Sequence, residues 1–397
     1  MPQKFDILIV GAGPAGLMAS IRLAKMGANV AVFEKETFPH IKTCGDLVTR
    51  EGLGLLADIG LSQWMEKYRR VDELRFSAPD GSRLDIAVAD PEEAARNRIL
   101  PREFLDAKLA ETAIASGVTL FDGCRVRNAV IGENGVLVKA QQDSFQGKFL
   151  LLADGSHAPI TRKLGLLRED PDLMAARQYL LAPAVDTHGP LEFHFQCKVI
   201  PGYTWLFPEG NGQVNLGAGT YTRRVRNREI DLFAVLEEFK REDPVLADRL
   251  KDAEPVGRMK AFPLRTHIGG TQTHGDRFLV VGDAAGLVSP FTGEGITSGM
   301  LSGALAANTL QQAFQAGDFR AARLAEYTNI LNERFQGDHQ AAYTLRSTLK
   351  NPRLLNLFFR AMRKDAELAH LFAMTYLDEK SPQLLLHVRN LWKVVGK

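Results

Sequence analysis

Cysteine is scarce in this 397-residue chain. Its three cysteines, Cys44, Cys124 and Cys197, stand far apart with no CxxC and no His-Cys cluster. That spacing argues against a disulfide framework or a structural metal, and for a compartment that keeps thiols reduced. No apolar run approaches the ~20 residues of a membrane span, and Met1-Pro-Gln-Lys-Phe-Asp6 leads to the first strand without a signal-peptide pattern. Cytoplasmic residence is therefore expected. There is little net charge, +2 overall, but it is unevenly spread: residues 340–397 hold ten Lys/Arg against four Asp/Glu, leaving 39 against 43 in the rest. The basic end is interleaved with apolar residues, which argues against a nucleic-acid tail. There is no repeat and no low-complexity stretch.

What is present is a 45% hydrophobic chain long enough for a large core divided into two or three lobes. Near its start, Phe5-Asp-Ile-Leu-Ile-Val10 reads as a buried strand, Gly11-Ala-Gly-Pro-Ala-Gly16 as a strand-to-helix turn, and Val30-Ala-Val-Phe33 as a second strand ending in Glu34. This is a dinucleotide-binding fingerprint in context. Gly11 permits the turn, Gly13 lets the backbone approach a pyrophosphate, Gly16 lets the helix pack on the strand, and Glu34 would hold the ribose hydroxyls. A lone GxGxxG is often only a glycine-rich turn, but its position here favours FAD over NAD.

Two later segments supply further flavin signals. Phe149-Leu-Leu-Leu-Ala-Asp154-Gly155-Ser156 is an apolar strand ending in Asp-Gly. Arg277-Phe-Leu-Val-Val-Gly282-Asp283 opens into a loop holding Pro290, Gly293, Gly295 and Ile296. Asp283 is placed to accept from a ribityl hydroxyl. The amides from Gly293 to Ile296 would begin a helix whose positive end faces the flavin pyrimidine. In this order, over about residues 5 to 310, the three segments resemble the flavoprotein group that includes para-hydroxybenzoate hydroxylase, FAD halogenases and geranylgeranyl reductases.

The resemblance implies an α/β fold: a Rossmann-like FAD-binding domain (1–75, 100–175 and 270–315), an inserted antiparallel-sheet substrate domain (76–99 and 176–269), and a C-terminal helical cap (316–397). It implies FAD contacts at Gly11, Gly13, Ala15, Gly16, Glu34, Lys35, Gly45, Arg102, Val126, Asp154, Gly155, Gly282, Asp283, Gly293, Gly295 and Ile296. Arg102, in Leu100-Pro-Arg-Glu-Phe-Leu-Asp-Ala-Lys-Leu109, matches the arginine that reaches the flavin in such proteins; the plainer reading is a solvated arginine at a helix start. Ala158 stands where these families often carry serine. Only one GxGxxG is present, so NAD(P)H binding transiently, or a reduced ferredoxin or similar donor protein, is expected to supply electrons.

Function has to be argued from the site, since this fold hosts many chemistries. Phe38-Pro-His-Ile-Lys-Thr-Cys44-Gly45-Asp46 places Cys44 in a loop able to reach the isoalloxazine. Tyr203-Thr-Trp205-Leu-Phe207-Pro208 begins a hairpin ending in Asn215-Leu-Gly217-Ala-Gly219, and strand alternation turns Tyr203, Trp205 and Phe207 the same way, as an aromatic wall. The two segments together resemble the geranylgeranyl reductase family. Halogenases would show Trp-x-Trp-x-Ile-Pro, and aromatic hydroxylases generally lack the Cys-Gly loop.

The implied activity is reduction of double bonds in a geranylgeranyl or other polyprenyl chain, with Cys44, Tyr203 and Trp205 as catalytic residues and Tyr203, Trp205, Phe207 and Pro290 against a hydrophobic isoprenoid substrate. An FAD-dependent aromatic monooxygenase, a halogenase and a non-catalytic flavin protein are the alternatives. Cys44 also reads as a small buried hydrophobe, and the aromatic residues as ordinary sheet core. Strands are expected at 73–76, 83–86, 117–121, 135–139, 148–153, 179–185, 191–195, 203–207 and 213–219, and helices from Gly295 onward. Leu354–Lys364 and Leu384–Val395 mix apolar with basic residues, as cap helices or as peripheral membrane contacts.

Overall fold

The computed structural model describes residues 2–88, 97–243, 246–387 and 390. In chain order, β1 (Ile7–Val10) leads through α1 (Pro14–Lys25) to β2 (Val30–Phe33), followed by β3 (Glu73–Ser77) and β4 (Arg83–Ala87). Next come α2 (Arg102–Ala115), β5 (Thr119–Phe121), β6 (Val126–Gly132), β7 (Gly135–Ala140), β8 (Asp143–Gly147) and β9 (Phe149–Leu152). The middle of the chain holds β10 (Leu173–Leu181), β11 (Leu191–His194), β12 (Thr204–Pro208), β13 (Gln213–Tyr221), α3 (Leu232–Glu242) and β14 (Glu254–Leu264). After β15 (Phe278–Val280) the main elements are helical: α4 (Ile296–Ala316), α5 (Ala321–Leu331), α6 (Gly337–Thr348), α7 (Pro352–Lys364) and α8 (Ala366–Tyr376).

Strands β15, β9, β1, β2 and β5 form a parallel sheet in that order, with a short antiparallel edge at His274–Gly275. Its central strands are buried at every residue, which is why they are written as unbroken apolar runs and not as alternating ones. α1 and α4 pack together over this sheet through small residues. A Cβ on Gly303 would lie 2.2 Å from the Ala15 carbonyl oxygen, so only glycine permits that approach.

The second large sheet has seven strands in the order β14-β10-β13-β12-β11-β3-β4. It is antiparallel except where β11 runs parallel to β3, a departure from the expected all-antiparallel sheet that brings residues 73–77 into it. One face packs on α3 through Val235, Leu236 and Phe239. The other packs on α7 and α8, where Phe76, Phe193 and Phe195 meet Phe359, Phe372 and Tyr376. Asn351 caps α7 at the Arg353 amide and Asp365 caps α8 at the Leu368 amide, so two polar residues set the break between two helices that share one core.

Three strand expectations differ from the structure. The strand read at 179–185 runs from Leu173 to Leu181 and stops before Pro183, which has no amide to give a ladder. β14, with Pro255, Gly257 and Pro263, was not among the expected strands and forms an edge of the sheet, the place where proline is tolerated. β6 and β8 are polar and were not expected; they flank β7. Most of Leu384–Val395 lies outside the described residues, while the apolar side of α7, including Leu355, Phe358, Phe359 and Met362, is turned into the core. No helix among the described residues is long and apolar enough to cross a membrane.

Candidate active site

Two adjoining hollows lie where the parallel sheet meets the seven-stranded one. The larger is a groove of about 950 Å³ lined by Gly11, Gly13, Glu34, Lys35, Arg102, Val126, Asp154 and Gly155. The smaller, about 180 Å³, is walled by Cys44, Gly45, Tyr203, Trp205, Phe207, Asp283 and Pro290, with Ala15, Gly282, Gly293, Gly295 and Ile296 also at its edge. Gly13, Arg102 and Gly155 line both, so the two are continuous. Of the expected site residues only Gly16 lies on neither; a Cβ there would sit 2.1 Å from the Gly11 carbonyl oxygen, so its role is the close helix-to-strand contact.

The groove suits a dinucleotide. At Gly13 and at Gly155, which has φ +71°, an added Cβ would meet nothing within 4 Å, so bare backbone faces open space. Glu34 accepts from the amides of Ala12 (2.9 Å) and Glu36 (3.1 Å), which fixes its carboxylate at the groove's far end. Asp283 accepts from Ser156 Oγ at 2.8 Å and lies 4.0 Å from Lys42 Nζ. Asp154 is used differently from the expectation. Its carboxylate is occupied by the amides of Ile160 and Thr161 (2.8 and 3.0 Å) and by Thr161 Oγ1 (2.5 Å), so it shapes the loop beside the groove. The residues present therefore fit FAD.

Arg102 is buried, not solvated. Its guanidinium makes a bidentate pair with Asp106 at 2.8 and 2.7 Å, and its backbone amide donates to Asp46 at 3.1 Å. Asp46 is wholly buried and also accepts from Tyr179 Oη (2.5 Å) and Asn215 Nδ2 (2.7 Å). Burial holds its carboxyl above the usual range against the pull of Arg177 and the Tyr179 hydroxyl, and burial together with Asp46 holds nearby Glu209 up as well.

This network holds the Cys44 loop. Asn215 Nδ2 donates to the Cys44 carbonyl at 2.8 Å, Trp205 Nε1 donates to Asn215 Oδ1 at 3.0 Å, and the Asp46 amide donates to Cys44 Sγ at 3.3 Å. Burial first, and Asp46 second, push the Cys44 thiol up, with Arg102 opposing. That direction disfavours a nucleophilic thiolate at this position.

The aromatic wall is continuous: the Tyr203 and Trp205 rings are 6.0 Å apart, and those of Trp205 and Phe207 are 6.2 Å apart. Tyr203 Oη donates to the Thr292 carbonyl, tying the wall to the glycine loop before α4. A Cβ on Gly45 would come within 3.1 Å of the Phe207 ring, which explains glycine after Cys44. Tyr376 of α8 also lines the cavity, its ring 5.9 Å from that of Tyr203. Asp46, Glu209, Tyr376 and Glu294 were not anticipated. Asp46 meets Tyr179 and Asn215 from 133 and 169 residues away, and among these contacts only the i,i+4 spacing of Arg102 and Asp106 could have been read locally.

Comparison with known proteins gives a consistent picture. The FAD binding domain family profile matches residues 4–336. A menaquinone reductase of Mycolicibacterium smegmatis is 29% identical over 371 residues, covering 90% of this chain and 87% of that protein. A digeranylgeranylglycerophospholipid reductase of Methanosphaera stadtmanae is 29% identical over 347 residues, 83% of this chain and 81% of that protein. Among solved structures, a geranylgeranyl bacteriochlorophyll reductase-like protein of Thermoplasma acidophilum superposes with TM-score 0.79 at 22% identity, covering 100% and 97% of the two chains. A flavin-dependent brominase superposes with TM-score 0.77 at 20% identity, covering 99% of each. The architecture is shared across chemistries, so the walls of the smaller cavity have to discriminate between them.

Proposed function

Because this chain belongs to the FAD binding domain family and is an FAD-dependent oxidoreductase of the geranylgeranyl reductase type, we propose that it saturates double bonds in the isoprenoid tail of a polyprenyl lipid or quinone. The observation that carries this reading is the aromatic wall hydrogen-bonded through Asn215 to the Cys44 loop around one small cavity. A prenyl unit is an apolar rod, and Tyr203, Trp205, Phe207 and Tyr376 offer it apolar contact on several sides. Relatives named for reducing menaquinone or a digeranylgeranyl lipid support the substrate class.

FAD held along Gly13, Glu34, Gly155 and Asp283 would, in its reduced form, supply the hydride for one carbon of the alkene. The other carbon must gain a proton, and the Cys44 thiol, kept protonated by burial and by Asp46, is placed to position the alkene or relay that proton. Positive charge growing on the substituted carbon is stabilised by the surrounding rings by about 0.5 to 2 kcal/mol. Exclusion of water protects this charge from capture. Two of the cations on the cavity wall are committed to carboxylates, Arg102 to Asp106 and Arg346 to Asp172 at 3.0 Å, while Lys42 lies 4.0 Å from Asp283. A neutral head group, or one left outside, fits better.

The deciding experiment is anaerobic incubation of the dithionite-reduced protein with a lipid extract, a polyprenyl quinone and geranylgeranyl diphosphate, followed by mass spectrometry. Added hydrogen pairs with flavin reoxidation are expected; flavin that reoxidises only on admitting oxygen would overturn the reading in favour of a monooxygenase. Repeating the assay with NADPH or reduced ferredoxin in place of dithionite identifies the donor. Peripheral membrane contact would use the outer face of α7, where Arg353, Leu354, Arg360, Arg363 and Lys364 are exposed. Co-sedimentation with anionic vesicles at low salt tests it, and indifference to lipid charge would leave α7 as a cap alone.

A further inference from the structure

Behind the glycine loop that precedes α4 lies a third, smaller hollow of about 30 Å³ with mixed polar and apolar walls, room for one or two water molecules. Its walls include Glu294, Ser298, Arg334, Asp338, His339 and Asp378. Glu294 also lines the substrate-sized cavity, so one carboxyl stands between the two spaces. Two of the other groups are already committed: Asp338 accepts from Ser381 Oγ (2.5 Å) and Gln383 Nε2 (2.9 Å), and His339 Nδ1 is 2.8 Å from the Thr266 carbonyl. Ser298 is not. The residue is 5% exposed and lines this hollow, and its buried hydroxyl has no partner, as a side chain waiting for water does. Arg334, paired with Glu51 at 2.7 Å and partly exposed, marks the side nearest solvent.

We propose that Glu294 is a proton carrier, exchanging protons with solvent through the Asp378 side of this hollow and holding one at the reaction cavity when the bound flavin is reduced. The inference rests on the reductase reading only for the proton's destination, the alkene carbon that does not receive hydride. In balance, one hydride and one proton add across the double bond, and Glu294 regains its proton from water by way of Asp378. The charged surroundings suit the task. Glu294 faces Asp283 on one side and Asp378 on the other, and Asp378 faces Asp338 and Glu51 with Arg334 opposing. Burial and this mutual repulsion hold both carboxyls above the ordinary range, so near neutral pH the pair keeps a proton to share. Extra negative charge on a reduced flavin would draw in one more.

A purely structural role also exists for Glu294, since its two carboxylate oxygens accept from the Ser298 amide at 3.4 Å and, more closely, from the Thr297 amide at 2.5 Å at the start of α4. Glu294→Gln keeps that acceptor and removes the titration. The test is the midpoint potential of the FAD-loaded enzyme, without substrate, between about pH 7 and pH 9. Each proton taken up with two electrons makes the equilibrium change tenfold per pH unit, about 30 mV, so the wild type should be steeper than E294Q by that amount. Equal slopes overturn the proposal. Should E294Q not retain FAD, infrared difference spectra of the wild type on flavin reduction decide it: a protonated-carboxyl band must grow, and its absence overturns the proposal. Neither readout needs prenyl reduction, so failure to find reduced product would count against the substrate reading alone.

Discussion

Gly217 offers a sharp test of whether the aromatic wall is a rigid part of the site. It sits opposite Trp205 in the β12–β13 ladder, and the indole lies across it. A Cβ at Gly217 would be 1.9 Å from Trp205 Cζ2 and 2.2 Å from Cε2. Ordinary contact begins near 3.4 Å, so Gly217→Ala requires a displacement of about 1.5 Å (3.4 less 1.9). The indole has little room for it, being flanked by Tyr203 and Phe207 and hydrogen-bonded to Asn215 at 3.0 Å.

Overpacking of this kind costs about 1–3 kcal/mol, and losing the Trp205–Asn215 bond adds roughly 1 kcal/mol. Urea unfolding should therefore show a loss of about 2–4 kcal/mol, with a shift in tryptophan emission. In the reductase assay kcat should fall more than FAD affinity, because Asn215 also holds the Cys44 carbonyl. Adding Trp205→Phe to Gly217→Ala should restore part of the stability, since the smaller ring clears the methyl. A Gly217→Ala protein within about 0.5 kcal/mol of wild type, with unchanged emission, would refute the account of a fixed wall.

Asp106→Ala leaves the Arg102 guanidinium buried without its bidentate partner. It should cost about 3–5 kcal/mol in urea unfolding of the apoprotein, and a loss below about 1 kcal/mol would show that water or Asp46 takes over. His339 is buried, which lowers its pKa from 6.5 to about 4. The folded state thus resists the proton that the unfolded chain accepts, so this group's stabilisation is complete above pH 6.5 and is lost as pH falls toward 4. At about 1.4 kcal/mol per tenfold the loss is roughly 3 kcal/mol, and His339→Gln should flatten that part of the pH–stability curve; parallel curves would rule it out. Cys44→Ala should bind FAD normally yet reduce substrate at least tenfold more slowly, and an unchanged rate would remove the thiol from the mechanism.

The parts legible in the sequence were those whose causes are local. The parallel strand at Ile7–Val10 is buried on both faces, so its sequence is simply apolar, and the glycine turn follows because backbone must come close to backbone. Tyr203, Trp205 and Phe207 alternate because a strand has period two. What escaped reading depends on partners far away in the chain. β14 contains two prolines and a glycine, residues poorly suited to a central strand, and it is accommodated because an edge needs ladder bonds on one side only. Asp46 is unremarkable in sequence; its environment is made by Tyr179, Asn215 and the Arg102 amide, which only folding collects. Glu294 lies inside its glycine motif but was not singled out, because its neighbour Asp378 arrives from just beyond the end of α8.

The position of Tyr376 has an evolutionary corollary. This ring lines the cavity from a helix near the end of the described chain, and the same helix shares its core with β3 and β11 through Phe372, Phe76 and Phe193. The terminal helices thus supply one wall of the cavity. Lengthening, tilting or exchanging them alters the depth available to a chain-like substrate while leaving the nucleotide groove and the Cys44 loop untouched. Lineages that diverge in tail length would be expected to differ most in these last helices, and chimaeras joined after residue 350 would be the economical way to transfer substrate preference between relatives.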